Sequence, residues 1–180
     1  MTSTRTSIVV FLLLFAADAR PQEALIVPGV RVGAITAETG EADLISVFGR
    51  DRFSAHKVGM GEGNVCDGAL IRFDNEESLA VAWRDRTTKT GVSQVVVRSR
   101  SLQTKEGLRV GLSLAEVESL NGKPLIINGF GWDYGGVVNS WEGGRLAPIG
   151  LTHDGDVRVW FATTREQETQ LSRNEYASVS

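Results

Sequence analysis

The sequence predicts an α+β protein of two tandem units, each a short helix packed on an antiparallel sheet of about four strands. Three observations point there. A pentapeptide recurs, with Gly29-Val30-Arg31-Val32-Gly33 returning as Gly107-Leu108-Arg109-Val110-Gly111. Each copy is followed by a short stretch of helical periodicity that stops at a glycine. After each helix the apolar period shortens from helical to alternating, as half-buried strands require.

The first unit is assigned to residues 25–100. Its helix places Leu44, Val47 and Phe48 at i, i+3 and i+4 and ends at Gly49, a residue that tolerates a left-handed conformation. Thr39 is the expected cap at its start. Four strands follow: residues 53–58, a strand with Ala69, Ile71 and Phe73 on one face, a return strand with Leu79, Val81 and Trp83 on one face, and residues 92–98. Asp74-Asn75-Glu76-Glu77 makes the polar turn between the second and third.

The second unit is assigned to residues 105–162, after a polar join at 99–106. Ser113-Leu114-Ala115-Glu116 reads as a capping box, in which serine oxygen and glutamate side chain each satisfy a backbone N–H. Leu114, Val117 and Leu120 share a face, and Gly122 with Pro124 stops the helix. Strands are expected at 125–127, 137–141 and 157–161, with 146–151 as a further candidate and a turn at Asp154-Gly155. Arg31 and Arg109 are expected to lay their long stems on the sheet in matching positions. Residues 163–180 form a polar tail.

The N-terminus reads as an export signal. Arg5 precedes an unbroken apolar run, residues 8–17, and Ala17-Asp18-Ala19 supplies the small-x-small pattern at which such signals are cut. The run is shorter than the roughly 20 residues a membrane-spanning helix needs. The expected signal peptide is therefore 1–19, cut after Ala19. No Cys follows the run, so no lipid anchor is expected, and no later stretch is long and apolar enough to span a bilayer. The implied setting is periplasmic or secreted.

Composition narrows the chemistry. With a formal net charge of −3, nothing suggests a basic nucleic-acid surface, and 42% apolar residues suffice for a packed core. One cysteine, Cys66, excludes an internal disulfide and is expected to be buried as a small apolar residue. With one Cys and two His far apart, the usual nitrogen and sulfur ligands of a zinc site cannot be assembled, and no metal or cofactor is expected.

The glycine-led entry, the short helix ending at glycine and the antiparallel strands resemble the BamE (SmpA/OmlA)-like and beta-lactamase-inhibitor-like fold group, in the latter of which two such units stand in tandem. Residues 107–146, with Leu120-Asn121-Gly122-Lys123-Pro124 and Gly129-Phe130-Gly131-Trp132-Asp133-Tyr134-Gly135-Gly136, are also similar to an uncharacterised family of small bacterial exported proteins. The resemblance implies a fold and a bacterial periplasmic setting. It brings no catalytic residues, and the inhibitor's binding residues have no match here.

Phe130, Trp132, Asp133, Tyr134 and Trp141 are the candidate binding residues. Aromatic faces set among acids and glycines suit sugar rings, peptides or a protein partner. The competing reading is a glycine-rich hairpin whose aromatics fill the sheet core. Asp133 and Glu142 are a candidate acid/base pair of glycosidase type, against a default of solvated turn carboxylates. Gly111-Leu112-Ser113-Leu114-Ala115 approaches a hydrolase nucleophile motif, with Asp133 and His153 downstream. It lacks the final glycine, and capping already employs Ser113. Asp154 and Asp156 lack calcium-loop spacing, and Gly59-Met60-Gly61-Glu62-Gly63 lacks the Lys-Ser/Thr end of a phosphate loop, which leaves a flexible loop. His56 is read as a strand residue. The expectation is a non-enzymatic exported binding or envelope-assembly module for an unknown protein or envelope component. A periplasmic hydrolase using Asp133/Glu142 or Ser113 is the alternative.

Overall fold

A computed structural model describes residues 24–130, 135–150 and 157–162. The expected signal, the Asp154-Gly155 turn and the tail from 163 lie outside them. Within them the protein is mixed α+β, mostly strand, with two helices and three sheets. The elements run β1 (Leu25–Val27), β2 (Arg31–Val32), β3 (Ile35–Thr36), α1 (Glu41–Phe48), β4 (Phe53–Gly61), β5 (Asn64–Arg72), β6 (Ser78–Asp85), β7 (Thr90–Val97), β8 (Gln103–Thr104), α2 (Leu114–Asn121), β9 (Ile126–Ile127) and β10 (Val138–Ser140).

The largest sheet is an antiparallel meander in the order β4-β5-β6-β7. Its register places Ile71 beside Leu79 and Ala69 beside Val81. The alternation anticipated in β5 and β6 thus turns Ala69, Ile71, Leu79, Val81 and Trp83 to one face. Leu44 of α1 and Ile35 of β3 close over that face, and all seven side chains are buried. Burying a Leu or Ile side chain contributes about 1.5–3 kcal/mol, so this core dominates the stability of the first half. Phe48 and Phe73 meet edge to face at its margin, with ring centroids 5.9 Å apart. Val47 was expected on the inner face of α1 but is 54% exposed; the helix turns Leu44 inward and Val47 to water.

Two further local differences have simple causes. The helix starts at Glu41, one residue too late for Thr39 to cap it. Gly40 is the cap, and its N–H donates to Asp43 Oδ2 at 2.8 Å. Thr39 Oγ1 instead accepts from Thr36 N at 2.9 Å and tightens the preceding turn. The glycine-rich stretch 59–63 is no loose loop, because β4 and β5 pair up to Gly61 and Asn64 around a Glu62-Gly63 turn.

The opposite face of the meander carries a smaller buried cluster of Val58, Cys66 and Ala82. Cys66 is buried as expected, and its Sγ faces the Trp83 carbonyl oxygen at 3.6 Å.

A second sheet, in the order β3-β2-β1-β8, joins chain segments far apart in sequence. β1 pairs antiparallel with β2 and parallel with β8, Ile26 lying against both Val32 and Thr104. Arg109 continues the pattern through an antiparallel bridge to Gln103.

In the second half, β9 and β10 pair antiparallel, and residues 157–161 run along the other side of β10. Val138 N donates to Val159 O at 3.0 Å, and Phe161 N to Gly136 O at 2.9 Å. In the candidate strand 146–151, of which residue 151 lies outside the described residues, a 3-10 turn forms instead at Ala147–Ile149, started by Pro148. Proline lacks the N–H a central strand needs and fits the first turn of a helix. The second core consists of Leu108, Val117, Trp141, Leu146 and Ile149. Leu114, expected on the inner face of α2, is 37% exposed.

Candidate functional site

The glycine-rich segment places its described residues around β10. Gly136 has φ 77°, and a Cβ there would lie 2.1 Å from the Phe161 carbonyl oxygen and 2.8 Å from the Phe130 ring. Phe130 is half-buried and lies over this glycine. Trp132, Asp133 and Tyr134, three of the five candidate binding residues, lie outside the described residues. Trp141 is 8% exposed and belongs to the second core.

The loop after Trp141 is held by side-chain-to-backbone hydrogen bonds. Asn121, the last residue of α2, is fully buried. Its Nδ2 donates to Trp141 O at 2.9 Å and Lys123 O at 3.0 Å, and its Oδ1 accepts from Leu146 N at 3.1 Å. Arg145 donates to the Ser119 carbonyl at the open end of the helix (2.8 Å), and Lys123 Nζ donates to the Glu142 carbonyl (2.9 Å). A Cβ on Gly144 would meet the Asn121 amide at 2.2 Å, so the loop backbone sits directly on that side chain.

Beside this loop lies an open cleft of about 370 Å³ between β10 and the 3-10 turn. Asn128, Asn139, Ser140, Glu142 and Arg158 supply its polar groups, and Val137, Val157 and Trp141 its apolar wall. Glu142 is exposed, and its Oε1 accepts from Ser140 Oγ at 2.6 Å. In the segment 157–161, Val157, Val159 and Phe161 pack against the second core, while Arg158 and Trp160 point outward. Trp160 is 48% exposed and stands across the strand pair from Val137. Trp160 does not itself line the cleft, but it neighbours two residues that do, Val137 across the strand pair and Arg158 on its own segment.

Neither Arg158 nor Trp160 stood out in the sequence. The available signal was strand alternation: with Val157, Val159 and Phe161 inward, the two residues between them must face water.

Ser113 does what the capping box implied. Its Oγ accepts from Glu116 N at 3.3 Å and donates to Glu116 Oε2 at 2.7 Å, and its own N–H donates to the same carboxylate at 2.7 Å. These bonds from the Ser113 backbone and hydroxyl hold the Glu116 carboxyl below its usual range. The other carboxylates displaced among the described residues are also explained by local partners. Glu77 is lowered first by the Ser99 hydroxyl, Asp85 by the Thr88 backbone and hydroxyl, and Asp67 by Lys57 across the β4–β5 pair. None of them lines the cleft.

His56 is exposed on β4, and His153, Asp154 and Asp156 lie outside the described residues. Among the described residues, no group of three or more His, Cys, Asp or Glu side chains converges on a metal position. Among the same residues, no helix is long and apolar enough to cross a membrane.

No family model matches this chain, and neither a curated protein nor a solved structure is significantly similar to it.

Proposed function

We propose that this protein is an exported, non-enzymatic binding or envelope-assembly module whose contacts come from its second half. One observation carries the reading: an exposed tryptophan, Trp160, stands beside an open cleft whose wall presents amides, a carboxylate and Arg158. An indole in that position offers a large contact area at small entropic cost. The periplasmic or secreted setting rests on the signal-like N-terminus, with cleavage after Ala19.

The tandem arrangement of two helix-on-sheet units, related to the BamE-like and inhibitor-like folds, is part of the same proposal. Several features support it. Gly29 and Gly107 both have positive φ, as do Gly33 and Gly111. One sequence offset relates these glycine pairs, and the same offset separates Ile26 from its partner Thr104. The glycines that end α1 and α2 also have positive φ.

The test is a pull-down from envelope extract using wild type, Trp160→Ala and Trp132→Ala/Tyr134→Ala. Loss of a specific partner in the variants is expected, and an unchanged set of partners overturns the reading. A carboxylate hydrolase remains the second reading, favoured by Glu142 in the cleft wall. It requires that Glu142→Gln abolish a hydrolytic activity without changing binding.

A further inference from the structure

We infer that the ligand of this cleft is a short saccharide of one or two rings, stacked on Trp160 and hydrogen-bonded by Asn139 and Arg158. The inference rests on the binding reading above and deepens it. Size is the first argument. About 370 Å³ lies near the lower end of small-ligand clefts, roughly 300–1,000 Å³, and is too small for a folded partner to enter.

The lining chemistry is the second argument. Asn139, Glu142 and Arg158 carry planar groups with two or more donor or acceptor atoms side by side. Such groups match the adjacent hydroxyls of a sugar ring, which pair with them two at a time. Among the described residues Arg158 makes no ion pair, and it stands exposed at the cleft wall. The indole of Trp160 supplies what a pyranose needs besides hydrogen bonds, an electron-rich flat face for its axial C–H groups.

Strand topology is the third argument, because it disfavours an extended peptide. A peptide that adds to a sheet needs an open strand edge. β10 is bonded on both sides here: Val137 O accepts from Asn128 N on the β9 side at 2.9 Å, and Val138 N donates to Val159 O on the other at 3.0 Å. Among the described residues, β10 therefore offers no free edge at Val138.

The test uses the exported chain with cellobiose, chitobiose and maltose as probes, read by saturation-transfer NMR and calorimetry. At least one disaccharide is expected to bind with Kd near about 1 mM or tighter. Trp160→Ala should weaken it about tenfold or more, Trp160→Phe should hold it within about threefold, and Arg158→Ala should weaken it several-fold. Both positions are exposed, so an unchanged thermal midpoint accompanies these losses. No binding of any probe up to about 10 mM overturns the saccharide assignment. If Trp160→Ala then still loses its envelope partner, the binding reading survives alone. Saccharide binding undiminished in Trp160→Ala overturns this site.

Discussion

The two halves of the molecule are held together by different physics. The meander β4–β7 with α1 is a sheet closed by apolar side chains: Ile71, Leu79, Val81 and Leu44 are all at most 2% exposed. Among the described residues, the region of α2, β9 and β10 has shorter strands and a smaller apolar core, and the loop after Trp141 is tied down through Asn121. Non-directional burial stabilises the first, and directional hydrogen bonds specify the second. The first therefore tolerates apolar exchange of similar volume, and the second tolerates little change in donor and acceptor placement.

The largest expected effect lies in the first region. Trp83→Ala opens a cavity in the apolar core and should cost about 3–5 kcal/mol, read as a fall in the urea midpoint. Asn121→Ala should follow. It leaves the Leu146 N–H without its acceptor in a buried site, at about 1–3 kcal/mol for an unsatisfied group, while the Trp141 carbonyl keeps the Gly144 N–H. Hydrogen exchange should show this loss in residues 121–150 while β5 and β6 stay protected. If Asn121→Leu proves as stable as wild type, the contrast between the halves collapses.

Ser113→Ala removes the α2 cap and should cost about 1 kcal/mol of stability, with ligand binding unchanged. A change in turnover of any substrate in that variant would revive Ser113 as a nucleophile.

The smallest effect is a dependence on pH. The Ser99 hydroxyl and the Arg100 N–H hold Glu77 below its usual 4.5. A depressed carboxyl contributes stability that is present above 4.5 and is lost as pH falls through the folded-state value. Glu77→Gln should flatten that part of the acid limb in urea titrations. An unaltered limb would mean that the Ser99 contact does not hold the β5–β6 turn to the end of β7.

What could be read in advance divides along the same line. Alternation in β5 and β6, the Ser113 cap and the glycine stops of both helices are local signals, and each appears in the structure. The parallel pairing of β1 with β8 could not be foreseen, because strands of two or three residues carry too little pattern to specify a partner. Asn121 reads as an ordinary helix end, since its three partners lie at Lys123, Trp141 and Leu146 and only the fold brings them together. Trp141 was singled out for its company of acids and glycines, yet it fills the core. Trp160, in plain alternation with inward valines, is the one that faces water among the described tryptophans.

The β1–β8 pair also constrains the order of assembly. β1 is nearly the first described segment, but its parallel neighbour comes only after α1 and the whole meander have been synthesised. Contacts between residues so distant in sequence form slowly, because a long loop must close before they stabilise anything. The hairpin of β1 and β2 can form early but waits with one edge open. The meander, built from neighbouring strands, is then the expected folding nucleus. Docking of β8 against β1 would be the late event that brings the N-terminal edge and the second half into one structure.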